Sequence, residues 1–146
     1  MAQQANIYLG LGSNLGNRHE LLLSAIERLI ARVGPLVRCS SLIETAPMGF
    51  ESEHDFINAV AHFRTALSPR ELLEATQDIE RELGRQHKSI DGHYADRPID
   101  IDILLYDDLQ IDEPDLKIPH PRMKDRPFVM QPLNELLSFK ERTSIF

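Results

Sequence analysis

Two aspartates separated by a single residue, Asp100 and Asp102, stand inside the apolar run Ile99 to Leu105 of a 146-residue chain. If that run is a strand, Ile99, Ile101, Ile103 and Leu105 point to one face and the two carboxylates share the other. Residues two apart on a strand are about 6.6 Å apart. Two anions held that close are costly unless a cation or hydrogen bonds offset their repulsion. Carboxylate oxygens are hard ligands that select Mg²⁺ or Ca²⁺. Mg²⁺ in particular is commonly held by one or two carboxylates together with substrate phosphates. The competing explanation is a solvated outer strand face, where alternating Asp needs no metal.

The segment just before the aspartates tips the balance. Residues 85–97 carry Arg85, His87, Lys88, His93 and Arg97 within a chain of net charge −7. Guanidinium groups grip phosphate oxygens in pairs, and a long loop can close over a polyphosphate and exclude water. Any one of these residues alone is an ordinary solvated charge; the cluster beside Asp-x-Asp points to phosphate. Tyr94 within it is placed to stack on a base or to anchor the loop. Further on, His120 is stiffened between Pro119 and Pro121, and Arg126 adds another cation. Gln77 and Glu80 share one helix face, where they either hydrogen-bond a nucleotide or meet solvent. The glycine-rich stretch Gly10-Leu11-Gly12-Ser13-Asn14-Leu15-Gly16 fits neither a dinucleotide fingerprint nor a P-loop. It reads as a tight strand-to-helix connection.

Positioning these groups requires a frame. Ile7 to Leu11 reads as a buried strand. A helix follows, capped by Asn17 with Glu20 three residues on, its inner face marked by Leu22, Ile26, Leu29, Ile30 and Val33, and ended by Gly34-Pro35. Val37 to Thr45 reads as a second strand, with Cys39 buried in it. Phe56 to Thr65 is a third, with Phe56, Asn58 and Val60 on one face. Ser68-Pro69-Arg70-Glu71 opens a second helix with a capping box. Leu72, Thr76, Ile79 and Leu83 line its inner stripe, and Gly84 stops it. Residues 85–97 show no regular period. Pro98 to Tyr106 is the last long strand, with Leu109 to Ile111 as its short hairpin partner. The order β-α-β-β-α-β predicts an α+β, ferredoxin-like antiparallel sheet with helices on one face, in one domain spanning residues 1–146.

The acidic balance argues against general binding to nucleic acid or anionic membrane. One cysteine excludes an internal disulfide and suits a reducing compartment. Neither a signal peptide nor a membrane-length apolar run is visible. The expectation is a cytoplasmic enzyme, monomeric rather than oligomeric.

Together, Gly12-Ser13-Asn14, Thr45-Ala46-Pro47-Met48-Gly49, Phe56-Ile57-Asn58-Ala59, Gln77-Asp78-Ile79-Glu80, Arg97-x-x-Asp100-Ile101-Asp102-Ile103 and Pro119-His120 resemble the 6-hydroxymethyl-7,8-dihydropterin pyrophosphokinases of folate biosynthesis. The resemblance runs from Ile7 to about Leu136. It implies transfer of pyrophosphate from ATP to the pterin hydroxymethyl group with release of AMP. It implies two Mg²⁺ ions on Asp100 and Asp102, and ATP contacts from Gln77, Glu80, Arg85, His87, Tyr94, Arg97, Ile103, His120 and Arg126. Arg85 and Arg97 would take part in catalysis alongside the aspartates. The pterin would lie between Phe56 and Phe128, read by Asn58 and by groups around Thr45, Ala46 and Met48. His87 and Tyr94 depart from the family's commoner Arg and Trp, and Leu136 to Phe146 matches no usual C-terminal element.

Overall fold

The structure, a computed structural model, describes residues 4–14, 17–45, 55–84, 89–90, 93–94 and 99–137, with backbone only at 89–90 and 93–94. Nine strands and three helices lie among the described residues. In chain order they are β1 (Ala5–Ser13), α1 (Arg18–Arg32), β2 (Leu36–Cys39), β3 (Ile43–Thr45), β4 (Phe56–Thr65) and α2 (Pro69–Glu82). Then come β5 (Ser89–Ile90), β6 (His93–Tyr94), β7 (Asp100–Tyr106), β8 (Ile111–Glu113), β9 (Leu116–Ile118), a 3₁₀ turn at Met123–Asp125 and α3 (Pro127–Leu136). The main sheet runs β2-β4-β1-β7, with β3 also on β4, and every pairing is antiparallel. Counting β2 and β3 as one interrupted strand, this is the expected split βαβ order.

Local chemistry explains the helix ends. Asn17 accepts the Glu20 N–H at the start of α1. At α2, Ser68 and Glu71 exchange the two hydrogen bonds of a capping box, and Pro69 occupies the first turn. These bonds satisfy backbone N–H groups that have no partner within the helix. Both helices pack on one face of the sheet. Leu22, Ala25, Leu29, Leu72 and Ile79 meet Ile7, Leu9, Leu11, Phe63, Ile101 and Ile103 there. Thr76 is buried in the same stripe, and Leu83 packs against it partly buried.

Several details differ from the sequence expectation, each for a physical reason. β1 continues through Gly12 and Ser13 because both pair with β4, so this part of the glycine-rich stretch is strand rather than turn. Ile30 is 44% exposed and Ala25 takes its place in the interface. The stretch Val37 to Thr45 breaks into β2 and β3 at Ser40-Ser41, and Cys39 is exposed because β2 is the sheet's edge. Residues 85–97 contain the short β5–β6 pair. Ile111–Glu113 pairs with Leu116–Ile118 in a separate ribbon, not with the preceding strand. Finally, β1 and β7 slip by one residue, since Leu9 faces Ile103 but Tyr8 faces Leu105. This bulge places Leu105 with Leu104 on the face opposite Ile101 and Ile103.

A third helix, not foreseen from sequence, covers that opposite face. Val129, Leu133 and Leu136 of α3, with Met123 and Leu137, pack on Tyr8, Val60, Leu104 and Leu105. Tyr8 is the residue of β1 that joins this cluster.

Candidate active site

The functional side chains gather where β1 ends and β4 and β7 begin. In register, Asn58 of β4 is opposite Gly12 of β1, and Gly12 is opposite Asp100 of β7. Asp102 lies opposite Gly10 on the same edge. Directly opposed residues send side chains to the same face. Phe56, Asn58, Asp100 and Asp102 therefore share the face that α3 covers farther along. The alternation expected for Asp100 and Asp102 holds, with both half-buried between fully buried Ile101 and Ile99 and the apolar Ile103.

Glu80, expected beside a nucleotide, is 4% exposed and turned toward β7. Its Oε2 accepts the backbone N–H of Ile101 at 2.9 Å. Among the described residues β7 is the other edge of the sheet, so no described strand pairs with this amide. Gln77, one turn earlier, is half-buried.

A cleft of about 260 Å³ opens along the same edge of β7, lined by Leu73, Ile101, Asp102, Ile103, Leu116, Lys117 and His120 among others. Ile103, expected at the nucleotide, does line it. Leu73, Leu116 and Lys117 were not anticipated. Leu73 lies one position off the helix's main stripe, and Leu116 and Lys117 belong to a ribbon whose docking has no local sequence signal.

His120 is tied down twice. Its backbone N–H donates to the Leu104 carbonyl at 3.0 Å, and its Nδ1 accepts the Arg122 N–H at 3.2 Å. With Nδ1 as acceptor, the neutral ring carries its proton on Nε2. Burial pushes the imidazole pKa down, the Arg126 and Arg122 charges add to this, and Asp100 opposes it. His120 is thus a neutral donor near neutral pH. Arg126 reaches Asp102 at 3.9 Å and sits over the Phe128 ring at 5.8 Å from its centroid.

At the other end, the Asn58 Nδ2 donates to Thr45 Oγ1 at 2.8 Å and to the Ile43 carbonyl at 3.4 Å. Asn58 is buried, and Phe56 beside it is half-buried. Phe128, at the start of α3, packs partly buried against that helix's cluster. Arg85, His87, Arg97, Ala46 and Met48 lie outside the described residues, as does the Tyr94 side chain.

The donor set fits Mg²⁺. Two hard carboxylates share one face, and among the described residues no third His, Cys, Asp or Glu joins them in a metal-holding group. Carboxylates paired in this way suit a cation that completes its shell with phosphates and water.

The model of the 7,8-dihydro-6-hydroxymethylpterin-pyrophosphokinase family matches residues 8–138. The chain is 53% identical over 133 residues to the 2-amino-4-hydroxy-6-hydroxymethyldihydropteridine pyrophosphokinase of Porphyromonas gingivalis, covering 90% of each chain. It is 40% identical over 136 residues to the Bacillus subtilis enzyme of that name, covering 92% of this chain and 80% of the other. Among solved structures, an HPPK-DHPS in complex with substrates shares the fold at TM-score 0.74 and 14% identity. That match covers 92% of this chain and 40% of the longer one. With the family model spanning most of the sequence, a relative matched over 90% of each chain and the paired aspartates on one strand face, this chain belongs to the 7,8-dihydro-6-hydroxymethylpterin-pyrophosphokinase family and is an ATP-dependent pyrophosphokinase.

Proposed function

We propose that the chain transfers the β,γ-pyrophosphoryl group of ATP as one unit to the hydroxymethyl oxygen of 6-hydroxymethyl-7,8-dihydropterin, releasing AMP. One observation carries this most directly. Asp102 lines the cleft at the edge of β7, while Asp100 stands in register with Gly12 and Asn58. The two carboxylates thus lie between a slot suited to a nucleotide base and a pocket suited to a flat, polar ring. Further support comes from the names of the relatives, which are pyrophosphokinases of that pterin.

In this arrangement the base takes the cleft beside Leu73, Ile103 and Leu116. The triphosphate crosses toward Asn58, contacted by neutral His120 through Nε2–H and by Arg126, with Arg85 and Arg97 closing over it. Gln77, Glu80, His87 and Tyr94 border the nucleotide. The pterin packs its faces against Phe56 and Phe128. Asn58, held by Thr45, presents its carboxamide to the ring edge, with Ala46 and Met48 alongside. Asp100 and Asp102 would hold two Mg²⁺ ions, which would supply neutralisation of phosphate charge and of charge building on the departing AMP. The new bond joins the hydroxymethyl oxygen to the β-phosphorus. The broken bond joins the β-phosphorus to the oxygen bridging to the α-phosphate, and the hydroxyl proton passes to solvent. The residues contribute chiefly position and electrostatic complementarity.

A cytoplasmic monomer belongs to the same proposal. It is supported by the lone cysteine, which suits a reducing compartment.

An assay for AMP formed from ATP and Mg²⁺, with and without the pterin, tests the reaction beside Asp100→Ala. Pterin-dependent AMP that vanishes in the variant is expected. Pterin-dependent ADP would overturn the transfer type, and turnover that ignores the pterin would overturn the acceptor.

A further inference from the structure

Gly12 belongs to a glycine-rich stretch that neither of the common nucleotide-binding motifs explains. Its backbone lies in β1 and does not occupy the left-handed region; among the described glycines only Gly34 and Gly84 have positive φ. A glycine is therefore not needed there for conformation. The constraint is space. A Cβ built on Gly12 would lie 3.1 Å from Asn58 Oδ1 and 3.6 Å from Phe56 Cδ1. The first distance is tight enough that one of the two groups must move.

Asn58 has little freedom to do so. It is 7% exposed, and its Nδ2 is committed to Thr45 Oγ1 and the Ile43 carbonyl. A carbonyl oxygen accepts only, so the amide cannot turn over without losing that partner. Gly10 provides a contrast. A Cβ there would meet only the flexible Leu104 side chain, at an ordinary 3.5 Å. Two glycines two residues apart on one strand therefore answer to different neighbours.

We infer that Gly12 is a positioning residue for the acceptor site: its missing side chain sets where the Asn58 carboxamide, and with it the Phe56 ring, stand relative to Asp100. Asn58, Gly12 and Asp100 form one row across β4, β1 and β7. At the usual strand spacing the row spans about 10 Å. A shift of Asn58 along it moves the acceptor, not the nucleotide cleft. The inference rests on the pterin pyrophosphokinase function proposed above in its acceptor half only.

Two measurements test it on the full chain. In ¹H–¹⁵N spectra, Gly12→Ala is expected to shift the Asn58 side-chain amide strongly, while Gly10→Ala leaves it in place. In the AMP-release assay, Gly12→Ala is expected to raise the KM for the pterin about tenfold or more, the scale of one misplaced hydrogen bond, with the KM for ATP unchanged. In an Asn58→Ala background the same substitution should add less than about twofold, because the crowded atom is gone. Should Gly12→Ala fail to fold, Gly12→Ala with Asn58→Ala should fold again. An unshifted Asn58 amide, an equal rise in both KM values, an undiminished effect without the Asn58 carboxamide, or a double variant that also fails to fold would each overturn the inference. If wild type makes no pterin-dependent AMP, the functional proposal fails by itself, and the Asn58 amide shift still decides the role of Gly12.

Discussion

The Glu80 carboxylate on α2 accepts the backbone N–H of Ile101, the residue between Asp100 and Asp102. Among the described residues β7 is an edge strand, so this amide would otherwise be buried without a ladder partner. The bond reaches the backbone between the two aspartates and fixes the strand from the helix side. A helix residue thereby helps set the spacing of groups on the opposite face of the sheet.

Glu80→Ala leaves the Ile101 amide without its acceptor and is expected to cost roughly 1–3 kcal/mol of stability. Glu80→Gln keeps an acceptor oxygen and should cost less than about 1 kcal/mol. Urea unfolding of the two variants separates them. The Ala variant should also need more Mg²⁺ for half-maximal AMP release, since its aspartates are less firmly spaced.

Asp100→Asn and Asp102→Asn should separate stability from activity. Each removes one of two neighbouring negative charges, so thermal melting without Mg²⁺ should stay level or rise slightly. Single-turnover AMP release should fall by about 10²–10³-fold, the usual scale for losing one charge-stabilising group. A melting point that falls sharply in both variants would mean the carboxylates are structural.

His120 makes stability depend on pH in a definite direction. Burial, with Arg126 and Arg122, holds its pKa below the ordinary 6.5, against the pull of Asp100. As pH falls, the unfolded chain takes up the proton before the folded one does. The stabilisation is therefore complete above about pH 6.5 and is lost as pH drops through that value toward the folded pKa. His120→Gln cannot take up this proton. Between about pH 8 and pH 5 its melting temperature should fall less than that of wild type. Parallel curves would show that His120 is not shielded.

Much of the frame was legible in the sequence because its signals are local. The capping box at Ser68-Glu71 and the cap at Asn17 are short-range chemistry, and both formed as read. Phe56 to Thr65 formed a strand at its expected bounds, buried on both faces from Ile57 to Ala61. The less legible features depend on distant neighbours. Nothing near Leu105 announces that Tyr8 will face it across a bulge. Cys39 looks like a core residue until β2 is known to be an edge. Pro132 lies within α3, which hid that helix, yet the helix forms over buried Val129 and Leu133. The same division runs through the site. Asp100 and Asp102 announce themselves by spacing, whereas the bond from Glu80 to Ile101 and the lining of the cleft exist only once α2 and the β8–β9 ribbon are docked.

Gly34 is a glycine whose substitution should damage the fold and spare the chemistry. Its φ of +154° lies at the margin of the range that side chains avoid, and a Cβ there would stand 1.9 Å from the Arg64 carbonyl oxygen. That oxygen belongs to the backbone and cannot swing aside as a side chain can. The neighbouring Pro35 carbonyl accepts the Arg64 N–H at 3.0 Å, and Thr65 Oγ1 donates to the Val33 carbonyl at 2.7 Å. The end of α1 is thereby clamped to the end of β4. Gly34→Ala must open this clamp, at an expected cost of at least about 2 kcal/mol. The clamp lies at the Thr65 end of β4, nine residues along the strand from Phe56 and seven from Asn58. Urea unfolding should record the loss, while AMP release per folded molecule stays near wild type. A rise in the KM for the pterin would instead mean that the α1–β4 junction reaches the acceptor pocket through β4.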